Sequence, residues 1–269
     1  MEKFVFKKKF GQNFLKDDKL LEDIVADAKV TMEDNILEIG TGAGALTEKL
    51  ISKAKRVVSV EIDKELQPIL LSKFAGQKNL KLIFGDILRI GPDELLSFFE
   101  GEKFKVVANL PYYISTPILF WLVKSGFNLS SVTVMLQKEL AERICSTEND
   151  SEYGGISVIL GVWSKLKLTR IVPKNMFIPM PEVDSAVVNM EVNYPQYLKL
   201  DKLMRVVKSS FAMRRKTLVN NLMKGFGINR GQAEQLLDRL GVAKDIRAEK
   251  LSKEQYKKLV DLIENDKLL

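Results

Sequence analysis

Glu38-Ile39-Gly40-Thr41-Gly42-Ala43-Gly44 ends an apolar run and opens an amphipathic one. Residues 35–39 read as a strand and 46–53 as a helix, so the glycines occupy a strand-to-helix turn. Glycine lets the backbone turn tightly there and lets a ligand approach closely. The spacing is G-x-G-x-G, whereas the dinucleotide fingerprint wants G-x-G-x-x-G, and on its own the loop suits either kind of nucleotide site. Outward from it, further strand candidates lie at 56–61, 80–84, 105–108, 131–136, 167–172 and 186–192, with helical patterns such as 64–74 between them. That alternation predicts an α/β domain with a doubly wound, mostly parallel seven-stranded sheet. The last two runs are separated by a short stretch containing Pro173, Pro179 and Pro181, too short for a crossover helix. They are expected as an antiparallel hairpin at the sheet edge. From residue 198 the pattern is helical only, over 198–212, 215–223, 232–240 and 253–263, with Gly225, Gly227 and Gly241 as stops. Tyr194-Pro195-Gln196 marks the expected junction between a domain of residues 1–195 and a small all-α C-terminal domain of residues 196–269.

Composition narrows the chemistry. The 269 residues include no histidine and one cysteine, Cys145. Histidine-based triads, histidine-ligated zinc and cysteine-held clusters are therefore excluded, and no metal is expected. No apolar stretch approaches the ~20 residues of a membrane span, and the basic start Met1 to Lys9 has no signal-peptide core. A cytoplasmic monomer is expected. The formal net charge of +7 is unevenly placed. Residues 196–269 carry 17 Lys/Arg against 9 Asp/Glu, and residues 1–195 carry 25 against 26. Such asymmetry suggests a polyanion-binding module joined to a neutral domain.

The strand ends carry the candidate site. Open α/β sheets bind ligands beyond the carboxyl ends of their strands. Gly40 follows the first strand, and Glu61 ends the second about 20 residues later, where a carboxylate accepts ribose hydroxyls. Asp86 follows the third strand and is placed to accept from a base amino group. Asn109-Leu110-Pro111-Tyr112 follows the fourth. Asn109 offers a neutral acceptor, and Pro111 holds Leu110 extended so that its carbonyl can aim into the site. Tyr112 offers a flat face. Phe177, in the segment 177–186, is a candidate second face, although an aromatic there is also an ordinary core residue.

Glycines, Glu and Asp on three successive strand ends resemble the Rossmann-like S-adenosylmethionine-dependent methyltransferases, and the tetrad 109–112 resembles their amino-methylating branch. Five segments then occur in the order seen in the ribosomal RNA adenine dimethyltransferases of the kasugamycin-sensitivity type. They are Phe10-Gly11-Gln12-Asn13-Phe14-Leu15, the glycine loop, the tetrad, Leu136-Gln137-Lys138-Glu139 and residues 177–186. The resemblance covers almost the whole chain. It implies transfer of four methyl groups from S-adenosylmethionine to two adjacent adenines in the 3′-terminal hairpin of small-subunit ribosomal RNA. It implies cofactor contacts from Asn13, Leu15, Gly40, Glu61, Asp86 and Asn109, with Tyr112 and Phe177 sandwiching the adenine. Two departures are visible. Tyr113 stands where many members have Asn, and Thr41 where Pro is common.

Arg214-Arg215-Lys216 is the densest basic cluster and the candidate RNA contact, with Lys202, Arg205 and Lys208 at three-residue spacing before it. The small-subunit ribosomal RNA or the assembling subunit is the implied partner. Two other readings share these features. One is the large-subunit adenine methyltransferase of the macrolide-resistance type. The other is an RNA-binding assembly factor that has lost catalysis, against which stand the intact tetrad and Glu61.

Overall fold

The computed structural model describes residues 14–15, 17–148, 150–193 and 199–268. Strands β2 (Asn35–Ile39), β3 (Arg56–Glu61), β4 (Leu80–Phe84), β5 (Phe104–Asn109), β6 (Leu129–Gln137), β7 (Ser164–Val172) and β9 (Ser185–Val192) form one sheet. Its order is β4-β3-β2-β5-β6-β9-β7. The first five are mutually parallel, and β9 runs antiparallel to β6. A second, two-stranded sheet pairs β1 (Phe14–Leu15) antiparallel with β8 (Phe177–Ile178). This is the Rossmann-like arrangement that the strand–helix alternation predicts. The expected edge hairpin needs one refinement. β9 lies inside the sheet, with β7 on its outer side.

Every residue of β2 is buried, as a central parallel strand covered on both faces must be. Helices α1 (Asp18–Asp27) and α2 (Ala45–Ile51) help to cover it, and α3 (Gln67–Lys73), α4 (Pro92–Phe99), α5 (Ser115–Lys124) and α6 (Lys138–Cys145) follow along the chain. The side chain of Asp17 caps α1 by accepting from the Leu20 amide at 2.7 Å. Leu21, Ile24 and Val25 of that helix face the core with Ile36, Val57, Val107 and Met135. Strand order reverses between β2 and β5: β3 and β4 follow β2 on one side, whereas β5 lies on the other. A crevice opens at such a switch point, beyond the carboxyl ends of the strands.

Packing divides the chain into two compact units. One comprises the described part of Met1–Ala141 with Lys167–Val192, and the other Glu142–Leu166 with Asn193–Leu269. Sequence alone places residues 142–166 with the sheet, but α7 (Gly155–Trp163) packs against α8 (Leu200–Ser210) and α11 (Lys253–Asn265). α7 is apolar nearly all round, so its sequence carries no stripe to say which neighbour it serves. The remaining helices of this unit are α9 (Leu218–Phe226) and α10 (Arg230–Leu240). Gly227 and Gly241 end these two in left-handed conformation, as expected. Gly225 does not act as a stop. It lies within α9, where an added Cβ would meet Ser209 Cβ at 2.5 Å. It lets α8 and α9 approach. Gly225→Ala should therefore destabilise the protein by about 1–3 kcal/mol in urea denaturation. Adding Ser209→Gly should recover part of the loss, and a neutral Gly225→Ala would refute the close-packing account.

Candidate functional site

Gly40, Glu61, Asp86 and Asn109 stand at the carboxyl ends of four adjacent strands, β2, β3, β4 and β5. Gly40 is in the left-handed region at φ +87°, with its amide bound to the Val60 carbonyl at 2.8 Å. A Cβ there would make ordinary contact with the Asn109 carbonyl oxygen at 3.5 Å, so it is the left-handed turn, and not the space, that calls for glycine.

Glu61 is 5% exposed. Its two oxygens accept from the Gly42 amide at 2.7 Å and the Asp63 amide at 2.8 Å. Burial raises its pKa, against the opposing pull of these amides. A carboxylate has about four lone-pair positions. Glu61 can thus hold the glycine turn and still accept hydroxyl groups.

Beside it runs a narrow slot lined by Gly40, Ile62, Asp86, Ile87, Pro111 and Tyr113. Its walls are apolar, with one carboxylate among them. One carboxylate acceptor among apolar walls suits a flat ring bearing an amino group. Asp86 is fixed at the start of a short 3-10 turn, accepting from the Leu88 amide at 3.0 Å. Tyr113 is half exposed, and burial together with the nearby charges of Asp86 and Glu61 raises its hydroxyl pKa. The departure from Asn at this position therefore falls on the slot itself.

The tetrad is pinned from three directions. The Leu110 amide donates to the Met135 carbonyl at 3.0 Å, and its side chain is 1% exposed. Ser115 Oγ donates to the Pro111 carbonyl at 2.9 Å. The Tyr112 and Ser185 hydroxyls lie 2.6 Å apart, which fixes the half-buried ring from β9. Nothing in the sequence pattern singles out Ser185, which lies within the segment 177–186 but carries no periodicity of its own.

The β1–β8 ladder places Leu15 opposite Phe177. Two motifs more than 160 residues apart thus meet in one pair, a link that two-residue strands do not announce. Phe177 is 2% exposed and belongs to the core cluster of Leu15, Met135, Val172 and Val187. Its ring is covered, unlike that of Tyr112. Asn13 lies outside the described residues.

A buried polar network beneath the glycine turn is the feature that sequence reasoning missed. Glu38 is fully buried. One of its oxygens accepts from Thr47 Oγ1 and Ser59 Oγ, each at 2.6 Å, and Thr41 Oγ1 lies 2.6 Å from Ser59 Oγ. The other oxygen, Oε1, has no partner among the described residues. Desolvation pushes the Glu38 pKa up to about 8. The available signal was an acid inside the apolar run Ile36-Leu37-Glu38-Ile39.

In the helical unit, Arg214, Arg215 and Lys216 are exposed in the turn between α8 and α9. They form no ion pair among the described residues. Lys202 does not share their freedom, because it pairs with Glu264. Arg205 lies over the Phe226 ring at 5.6 Å.

No helix among the described residues is long and apolar enough to cross a membrane. Comparison with known proteins agrees over nearly the whole chain. Residues 3–265 match the family model described as ribosomal RNA adenine dimethylase. A ribosomal RNA small subunit methyltransferase A from Clostridium botulinum (strain Kyoto / Type A2) is 43% identical over 263 residues, covering 97% of this chain and 94% of the relative. The crystal structure of a dimethyladenosine transferase from Plasmodium falciparum superposes with TM-score 0.83 at 26% identity, covering 94% of this chain and 98% of that one. The structure of the 23S rRNA methyltransferase ErmE superposes with TM-score 0.73 at 25% identity, covering 94% and 100%.

Glu38 makes stability depend on pH. Its folded-state pKa stands above the usual 4.5, so the folded chain keeps a proton that the unfolded chain releases. The stabilisation is complete below the unfolded value and is lost as pH climbs towards 8. Melting temperature should fall between pH 5 and 8 in the parent, and Glu38→Gln should flatten that slope. An equal slope in the variant would show that Glu38 is ionised in the fold.

Proposed function

The chain belongs to the ribosomal RNA adenine dimethylase family, and on that footing we propose that it methylates N6 of two adjacent adenines in the 3′-terminal hairpin of small-subunit ribosomal RNA. The observation that carries this reading is the tetrad Asn109–Tyr112, held rigid at the switch point beside Gly40. Identity favours a small-subunit acceptor: 43% with the small-subunit relative, against 25% with the 23S enzyme.

The residues fit S-adenosylmethionine as cofactor. Glu61 would take the ribose hydroxyls, and the slot at Ile62, Asp86 and Ile87 the adenine. Gly40 leaves room for the remainder, and Asn13, Leu15 and Asn109 complete the set that the family implies. When bound, the cofactor supplies the electrophilic methyl carbon.

The protein's task is to make a poor nucleophile attack. An exocyclic adenine amine is planar because its lone pair is delocalised into the ring. The Asn109 side-chain oxygen and the Leu110 carbonyl accept the amine hydrogens and favour a pyramidal nitrogen. Because Leu110 is pinned to β6, its carbonyl is already in place, and the gain is one of positioning. The leaving thioether is neutral and the surplus proton departs to water, so no tuned general base is required, in keeping with a chain lacking histidine. Tyr112 stacks on the extruded base. Phe177, the second wall that the resemblance implies, is covered by the core cluster, so the stacking is assigned to Tyr112. Residues 1–195 hold this chemistry, and residues 196–269 supply RNA contacts through Arg214, Arg215 and Lys216, with helix α7 packed among them in the same compact unit.

The test is labelled methyl transfer to purified ribosomal subunits lacking the modification. Label should enter small subunits and not large ones. Asn109→Ala should lower the single-turnover rate on the order of 100-fold, the loss expected when a reacting group is misplaced. Label in large subunits, or full-rate transfer by Asn109→Ala, would overturn the assignment.

A further inference from the structure

The helical unit holds a cavity that the chemistry above does not use. Its volume is about 350 Å³, within the ~300–1,000 Å³ of small-molecule sites. Its lining is mixed in a way that a plain phosphate-binding surface is not. Arg143, Arg214 and Lys216 supply positive charge, while Glu152 and Glu249 supply carboxylates. Phe211 also lines it, and its ring stacks on that of Tyr256 with centroids 6.1 Å apart.

Three other polar groups of the lining are occupied by the fold. Tyr153 donates its hydroxyl to the Leu251 carbonyl at 3.0 Å, and Ser210 donates to the Val206 carbonyl at 2.9 Å. The Asn221 side chain accepts from the Met213 amide at 2.9 Å and donates to the Met213 and Thr217 carbonyls, each at 3.3 Å. What remains for a ligand is Arg214, Lys216, the two carboxylates, the Ser151 hydroxyl and an aromatic surface. The carboxylates are only loosely engaged: Glu152 lies 3.8 Å from Arg143, and Glu249 lies 3.8 Å from Arg247.

We propose that this cavity receives one unpaired nucleotide of the RNA substrate, distinct from the adenine that is methylated. This rests on the ribosomal RNA reading. Arg214 and Lys216 would hold its phosphate. Phe211 offers the apolar platform that proteins use for splayed-out bases, and Glu152 or Glu249 accepts from ring and amino N–H groups. Guanine suits this best, since its N1–H and amino group present two parallel donors to one carboxylate. Two acids beside the cations would repel a run of phosphates, so the lining selects a base-bearing unit over bare backbone. Arg214 thereby gains a role beyond a non-specific contact: it fixes where along the RNA the helical unit sits.

The sign of one substitution separates this from simple charge attraction. Glu249→Gln removes a negative charge from a basic surface. If the surface only attracts phosphate, affinity for unmodified small subunits must rise. If Glu249 accepts from a base, affinity should fall several-fold. Ser151→Trp, at an exposed position on the lining, should block the cavity and lower affinity about tenfold at fixed salt. Arg214→Ala should instead reduce the salt slope by about one unit. Filter binding across salt concentrations, with methyl transfer to the same subunits, reads all three. Glu249→Gln that binds as tightly as the parent or more tightly, or Ser151→Trp without effect, overturns the cavity proposal alone. A parent that neither binds nor methylates small subunits overturns it together with the functional reading.

Discussion

The carboxylate of Glu61 ties the end of β3 to the glycine turn that follows β2, and the site is built on that tie. A buried carboxylate is costly unless hydrogen bonds satisfy it. Here the Gly42 and Asp63 amides do so at 2.7 and 2.8 Å. In exchange the turn is fixed with Gly40 and Gly44 at positive φ. Gly44 then starts α2 so close to Phe74 that a Cβ would lie 2.7 Å from its ring. Below, the buried Glu38 accepts from Thr47 of the same helix and Ser59 of β3. Two acids at different depths thus hold one loop, one of them at the end of β3 and the other sealed beneath the turn.

The same division of labour holds on the acceptor side. Asn109 and Tyr112 do not position themselves. Met135 holds the Leu110 amide, and Ser185 holds the Tyr112 hydroxyl. β6 and β9, which supply these contacts, pair antiparallel through Met135 and Val187. The strand that runs antiparallel to β6 therefore has a direct part in orienting the Tyr112 ring.

The strand ends were legible in the sequence because apolar runs bounded by Gly, Glu, Asp and Asn mark where parallel strands stop. That reading gave Gly40, Glu61, Asp86 and Asn109 their places. Other features rest on partners distant in the chain. The two-residue β1 and β8 have no periodicity to read, so the pairing of Leu15 with Phe177 was hidden. Lys202 reads as one of a basic stripe, yet Glu264, 62 residues on, takes it. Surface pairs of this kind add little stability. They do decide which cations are left for phosphate, and Arg214, Arg215 and Lys216 are among those left. Gly225 reads as a helix stop because glycine usually is one, and only the approach of Ser209 shows its use.

On the proposed reading, Asn109 and Leu110 hold an exocyclic adenine amine for methylation. Nucleoside mass spectrometry of small-subunit RNA, after reaction to completion with S-adenosylmethionine, tests it most directly. N6,N6-dimethyladenosine is expected at two adjacent positions near the 3′ end. Methyl groups on a ring nitrogen, on a ribose oxygen or on another base would contradict it.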